Sequence, residues 1–308
     1  MTGGTPSPPQ PGAKGPRTPG PVEVALLAEL APGMRARECP FPGGGTLRLL
    51  EGGAGPPLVL LHGRGNAAST WAPLLAELCR EHRVLALDLP GFGCSAVPPG
   101  PLKTAEDGVR FFTEPVEAVL ADLAPGPVTV VGHSLGGLVA LELALRGRVP
   151  VERLVLVDAM GLGPEMARDA RLYFRLGPER IARVLGPKLF GRIAPLPEDT
   201  PLNRKLAALD YELMTVPGGR PEATRAFNTL VPFTGGVFHR FERLGEVKQP
   251  TVLVWGEGDT VLPVSLAEGA QGRLTQARVV RLSAGHSPQM EQPGSLLSAL
   301  NAHPLNRG

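Results

Sequence analysis

Apolar runs of four or five residues recur along the chain, and between them lie longer stretches with apolar positions at helical spacing. Leu58–Leu61 is a continuous apolar run that ends at His62-Gly63. Val84–Leu87, closed by Asp88, Val128–Val131 and Leu154–Val157 repeat the pattern, and Thr251–Trp255 and Arg278–Leu282 repeat it late in the chain. Runs this short that do not alternate with polar residues read as strands buried on both faces. Ser69–Cys79 has helical spacing, with Ser69 or Thr70 placed to cap it. Thr104–Leu123 reads as a helix with Phe111, Phe112, Val116, Val119 and Leu120 on its apolar face, and Leu135–Leu145 is strongly helical. A further helix falls between the last two strands, and another near Pro293–Leu300. Strands alternating with helices predict an α/β fold: a mainly parallel central sheet with helices on both faces. Arg35–Phe41 and Thr46–Glu51 flank Gly43-Gly44-Gly45 and read as an antiparallel hairpin at the sheet's start.

Between Gly163 and Glu246 the alternation stops. This stretch is helical, holds both tyrosines, Tyr173 and Tyr211, and is punctuated at Gly186-Pro187, Pro195, Pro201 and Pro217-Gly218-Gly219. It is too long for a loop in a compact fold. The expected organisation is a core of residues 22–162 and 247–308, with 163–246 inserted as a helical cap over the sheet's C-terminal edge. Residues 1–21 are Pro- and Gly-rich and are expected to form a disordered tail, because they bury too little surface to offset ordering entropy.

Composition narrows the function classes. Of 308 residues, 31 are Lys or Arg and 29 Asp or Glu, a formal charge of +2 that leaves no electrostatic footprint for nucleic acid. Cys39, Cys79 and Cys94 have no paired spacing, which argues against a disulfide scaffold or a zinc site. No apolar stretch is long enough for a membrane span, and the N-terminal residues lack the apolar region of a signal peptide. A cytoplasmic location is expected.

The chemistry concentrates at three places. Gly132-His133-Ser134-Leu135-Gly136 directly follows the run Val128–Val131 and opens the helix from Leu135. A serine on a tight strand-to-helix turn is lifted clear of the sheet edge, and glycines two before and two after it make room for the turn. Ser134 is the candidate nucleophile. A serine hydroxyl is a poor nucleophile at neutral pH and needs a base within hydrogen-bond reach, itself oriented by a third group. His286, in Ser283-Ala284-Gly285-His286-Ser287-Pro288, sits in a loop just past a strand and is the candidate base. His62 and His133 belong to other motifs, and His82, His239 and His303 follow no strand end. For the orienting acid the residues offer three choices: Asp259 and Glu257 after Thr251–Trp255, and Asp158 after Leu154–Val157.

These motifs resemble the α/β-hydrolase superfamily, specifically its esterase-like members with a helical cap. The resemblance spans about residues 35–300. It rests on Leu60-Leu61-His62-Gly63, Asp88-Leu89-Pro90-Gly91-Phe92-Gly93, Gly132–Gly137, Trp255-Gly256-Glu257-Gly258-Asp259 and Gly285-His286. It implies an α/β-hydrolase fold and a triad in the chain order Ser134, Asp259, His286, with Asp259 matching the motif better than Asp158. It also implies that the backbone N–H groups of Arg64 and Leu135 form an oxyanion hole. Arg64 departs from the apolar or aromatic residues frequent at its position; its guanidinium points either to solvent or to the pocket mouth, where it would attract an acidic substrate group. Asp88–Gly93 reads as a structural turn, and Cys94 as a small buried group.

The expected activity is a cofactor-free, metal-free serine hydrolase acting on a small, apolar ester or thioester through an acyl-enzyme. Carbon–carbon bond hydrolysis of the meta-cleavage type and acyl transfer are alternatives on the same triad. A non-catalytic binding module on the same fold is the alternative from another class.

Overall fold

The computed structural model describes residues 17–193, 199–216 and 220–301. Most of the expected tail, 1–21, lies outside them, as do Pro195, the Pro217-Gly218-Gly219 break and His303. Pro21 opens the first helix, α1 (Pro21–Leu30).

Eight strands form one sheet: β1 (Arg35–Pro40), β2 (Thr46–Gly52), β3 (Pro57–Leu61), β4 (Arg83–Leu87), β5 (Val128–His133), β6 (Val151–Val157), β7 (Thr251–Gly256) and β8 (Ala277–Leu282), in the order β1-β2-β4-β3-β5-β6-β7-β8. β1 pairs antiparallel with β2, and β2 antiparallel with β4; every later pairing is parallel. The helices of the core are α2 (Ala72–Leu78), α3 (Ala105–Leu123), α4 (Leu135–Arg146), α9 (Ser265–Gln271), α10 (Pro288–Glu291) and α11 (Pro293–Asn301). Side chains alternate across the sheet, so each strand feeds two cores. Val59 and Leu61 join the side covered by α3 and α4; Leu58 and Leu60 join the side covered by α2 and α11. This is an α/β-hydrolase architecture.

One local expectation fails. Ser69–Cys79 is not a single capped helix. Ala68–Trp71 is a 3₁₀ turn and α2 starts only at Ala72, with Pro73 in its first turn. Neither Ser69 nor Thr70 caps it: the Thr70 hydroxyl donates to the Ala67 carbonyl and the Ser69 hydroxyl is buried without a partner.

The stretch between β6 and β7 is helical, as its sequence predicts: α5 (Arg168–Leu176), α6 (Pro178–Ile193, kinked at Gly186), α7 (Pro201–Met214) and α8 (Pro221–Leu230), then a 3₁₀ turn at Phe241–Glu246. Apolar faces seat it at two places. Ala223, Ala226, Phe227 and Leu230 of α8 join the core beside α3, while Leu206, Leu209 and Leu213 of α7 pack with Leu26, Ala67, Ala72 and Met290. Leu189 and Phe233 of this stretch are 45% and 66% exposed.

α1 ties three parts together. Its free N-terminal donors, the Val22 and Glu23 N–H groups, donate to the Glu212 carboxylate of α7 at 3.0 and 2.9 Å. The Glu23 side chain reaches the sheet, accepting from Arg48 at 2.6 Å, and Arg48 also meets Asp88 at 3.1 Å.

Candidate active site

β5 ends at His133 and α4 begins at Leu135, so Ser134 occupies the turn alone with φ of +52°. A left-handed conformation strains a serine, and the surrounding contacts hold it there. A Cβ on Gly132 would collide with the Gly136 carbonyl, and one on Gly136 with the Leu61 carbonyl, so the chain passes close to itself only because both are glycines.

The structure brings the three predicted side chains together. His286 Nε2 lies 3.0 Å from Ser134 Oγ, and His286 Nδ1 lies 2.8 Å from Asp259 Oδ2. An Nδ1–H donating to the carboxylate leaves Nε2 as acceptor for the serine hydroxyl. Burial alone would raise the Asp259 carboxyl. The facing His286 and the N–H groups of Val261 and Leu262, at 2.7 and 3.0 Å, more than offset this and hold it below the usual carboxylate range.

The rival carboxylates stand elsewhere. Glu257 is exposed. Asp158 is fully buried with φ of +42°, and its Oδ1 accepts from the Gly256 N–H at 2.8 Å while Oδ2 has no partner. Burial first, and then the charge of Asp259, push its carboxyl well above the ordinary range, so it is held protonated beside an ionised neighbour.

Several supporting groups escaped the sequence reading. His133 Nε2 lies 2.6 Å from the His286 carbonyl, and its Nδ1 lies 3.2 Å from Gln289 Nε2. Burial, followed by the facing His286, drives His133 down to about 3, so the ring is neutral; Nε2–H donates to the carbonyl and Nδ1 accepts from the Gln289 amide. Glu291 accepts from the Gly285 and Ser287 N–H groups on either side of His286. Both residues were in plain sight, but a Glu five positions past a histidine has no sequence signature. His62 donates from Nδ1 to the Gly63 carbonyl at 2.7 Å and accepts the Leu89 N–H at 2.9 Å, linking the loop after β3 to the Asp88–Gly93 turn.

That loop crosses directly over the elbow. A Cβ on Gly63 would stand 3.2 Å from Ser134 Cβ and 2.8 Å from His133 Nδ1. Among the described residues, the N–H groups of Arg64 and Leu135 donate to no protein acceptor. Arg64 does not point to solvent. Its side chain is 2% exposed, paired with Glu179 of α6 at 2.6 Å, and its guanidinium lies 5.4 and 5.3 Å from the Phe174 and Phe227 ring centres. Its Nε and Nη1 are buried without acceptors. Met214 touches the same loop, its Cε placed 3.2 Å from where a Cβ on Gly65 would be. Among the described residues no group of three or more His, Cys, Asp or Glu side chains is placed to hold a metal ion, and no helix is long and apolar enough to cross a membrane.

Comparison with known proteins agrees with the fold. The family model described as "Alpha/beta hydrolase family" matches residues 58–299. The chain is 31% identical over 232 residues to a 2-hydroxy-6-oxo-6-(2'-aminophenyl)hexa-2,4-dienoic acid hydrolase of Metapseudomonas resinovorans, covering 73% of this chain and 75% of the other. It is 30% identical over 257 residues to the pimeloyl-[acyl-carrier protein] methyl ester esterase of Nitrosomonas europaea, covering 81% and 96%. Among solved structures it resembles a membrane phospholipase A described as a bacterial virulence factor, with a TM-score of 0.70, 26% identity and 91% of each chain covered.

Proposed function

The chain belongs to the alpha/beta hydrolase family, and from that premise we propose that it is a serine hydrolase cleaving an ester or thioester bond of a small, largely apolar substrate. The observation that carries this reading is the unbroken relay from Ser134 Oγ through His286 to Asp259, at 3.0 and 2.8 Å.

The chemistry follows from who can give and take a proton. Ser134 Oγ attacks the carbonyl carbon as His286 Nε2 takes its proton. The Arg64 and Leu135 N–H groups stabilise the oxyanion that forms, and the Asp259 carboxylate stabilises the imidazolium. His286 then gives the proton to the leaving alcohol or thiol, and the carbonyl re-forms as an acyl ester on Ser134. Water, deprotonated by the same nitrogen, attacks that ester and releases the acid. His133 and Glu291 hold the histidine loop by its backbone, leaving the imidazole itself to the reaction. The helices between β6 and β7 act as a cap: α8 and α7 bring Phe227 and Met214 down to the Arg64–Gly65 loop, where an acyl chain would lie.

A fluorophosphonate probe should label wild type at Ser134 and leave Ser134→Ala unlabelled; equal labelling of both would sink the assignment. A screen of p-nitrophenyl esters of graded chain length beside acyl thioesters identifies the leaving group. The 31% identical dienoic acid hydrolase keeps carbon–carbon cleavage as the second reading, tested by including a ring-fission dienoate in the screen.

A further inference from the structure

Five of the seven large apolar side chains exposed among the described residues stand on the helices between β6 and β7 or the loop after them: Leu172, Leu176, Val184, Leu189 and Phe233. Singly scattered apolar residues are ordinary on a protein surface; a concentration on one insertion is not. Helical spacing aligns most of it. On α5, Arg168, Leu172 and Leu176 recur at every fourth residue and share one face, and Arg180 and Val184 do the same on the first half of α6. Leu176, Arg180 and Arg183 line a single cleft where the two helices meet, so the two faces run into one another. Leu172, Leu176 and Val184 are 49%, 58% and 84% exposed.

Charge on this surface is one-sided. The stretch from Arg168 to Arg183 holds five arginines and two carboxylates, in a chain that is close to neutral as a whole. Glu179 turns inward to Arg64, which leaves Asp169 as the exposed acid of the stretch. Arg175 lies 5.6 Å from the centre of the Phe233 ring, and Arg171 donates to the Gly235 carbonyl, so the loop carrying Phe233 is drawn beside α5. Projecting apolar side chains and guanidiniums are thus interleaved.

We propose that α5, the first half of α6 and Phe233 form a docking face for an anionic lipid surface. Leucine, valine and phenylalanine side chains that project without a partner enter the boundary between headgroups and acyl chains, and the arginines beside them meet the lipid phosphates. A lipid surface needs no matching shape to receive them, whereas a protein partner has to supply one. A purely acidic partner would meet the guanidiniums and leave Leu172, Leu176 and Val184 in water. From their inner side the same two helices reach Arg64 through Phe174 and Glu179, so docking bears on the loop over Ser134. The proposal does not depend on the hydrolase reading, because its readout is binding.

The full chain should sediment with vesicles of equal parts phosphatidylglycerol and phosphatidylcholine at low ionic strength, and far less with phosphatidylcholine alone; added salt should release it. Leu172→Ser/Leu176→Ser removes the apolar contact, and Arg168→Glu/Arg180→Glu reverses the charge. All four side chains are exposed, and the new carboxylates fall in the first turns of α5 and α6, where they suit the helix dipole. Both variants should keep the wild-type melting temperature and p-nitrophenyl acetate turnover, and both should need about tenfold more lipid for half-maximal binding. No binding up to about 5 mM lipid, equal binding to the two kinds of vesicle, or a variant that binds as tightly as wild type overturns the proposal. Poly-glutamate bound as tightly as the anionic vesicles, with no loss in the leucine variant, overturns it in favour of an acidic protein. A wild-type dimer that the leucine variant turns into a monomer, without vesicle binding, overturns it in favour of a second copy.

Discussion

Removing Glu179 tests the buried pair most directly. At 2.6 Å, with the Arg64 and Glu179 side chains 2% and 11% exposed, the two charges attract by roughly 6 kcal/mol at an effective dielectric of about 20. Much of that attraction offsets desolvation. Deleting one partner exposes the desolvation alone, because Arg64 stays charged among Phe174 and Phe227 with Nε and Nη1 already unmet. Breaking such a pair costs about 3–5 kcal/mol. Glu179→Ala should therefore lower the melting temperature by roughly 5–10 °C, unless α5 and α6 open locally at smaller cost, which then sets the ceiling. Arg64 seeking water would drag its own backbone N–H from the oxyanion position. Ester kcat/KM should fall by about tenfold or more, within the ~10²–10³ of losing a donor outright. Arg64→Met/Glu179→Leu keeps the backbone N–H and places a thioether between the two rings, so it should recover most of both losses. Thermal melts and p-nitrophenyl acetate kinetics on the three proteins decide the matter. If Glu179→Ala matches wild type in both, or the double variant does no better than the single, the pair is not buried in solution and the reasoning fails.

Three further outcomes follow from the site. Asp259→Asn should keep the fold and lower kcat by about 10⁴-fold through loss of the correct imidazole tautomer; a drop below about tenfold would move the acid elsewhere. The folded state binds the Asp158 proton more tightly than the unfolded chain, so stability from this group is complete at low pH and is lost as pH rises through the raised folded value. Asp158→Asn should thus gain on wild type in urea midpoint as pH rises above the ordinary carboxylate range, and parallel profiles would refute a buried neutral carboxyl. Bulkier side chains at Met214 or smaller ones at Phe227 should shift chain-length preference across C2 to about C12 esters; an unchanged preference order with lower melting temperatures would make both purely structural.

The sheet, the Ser134 elbow and His286 are legible because their signals are local. Val128–Val131 announces a buried strand, the glycines around Ser134 announce a tight turn, and His286 follows a strand end. The environment of Arg64 was not legible, because its partner Glu179 lies 115 residues away on another helix and nothing in either neighbourhood marks the meeting. Both readings of its side chain, in solvent or free at a pocket mouth, missed a buried pair. The choice among Asp259, Asp158 and Glu257 turns on burial and aim, which spacing does not encode. Ser69 and Thr70 show the reverse failure: good capping residues that tertiary packing around Trp71 placed inside a 3₁₀ turn instead.

α1 changes how the helices over the sheet are able to move. An insertion joined to its host only through two chain junctions swings on them like a hinged door. Here Glu212 of α7 grips the backbone of α1, and Glu23 of α1 grips Arg48 in the sheet, so a polar fastening joins the two apolar seats in holding the door. Transplanting the helices of a relative onto this core would leave that bolt without its socket. An exchange meant to alter substrate choice has to move residues 21–30 together with the helices, although well over a hundred residues of sequence separate them.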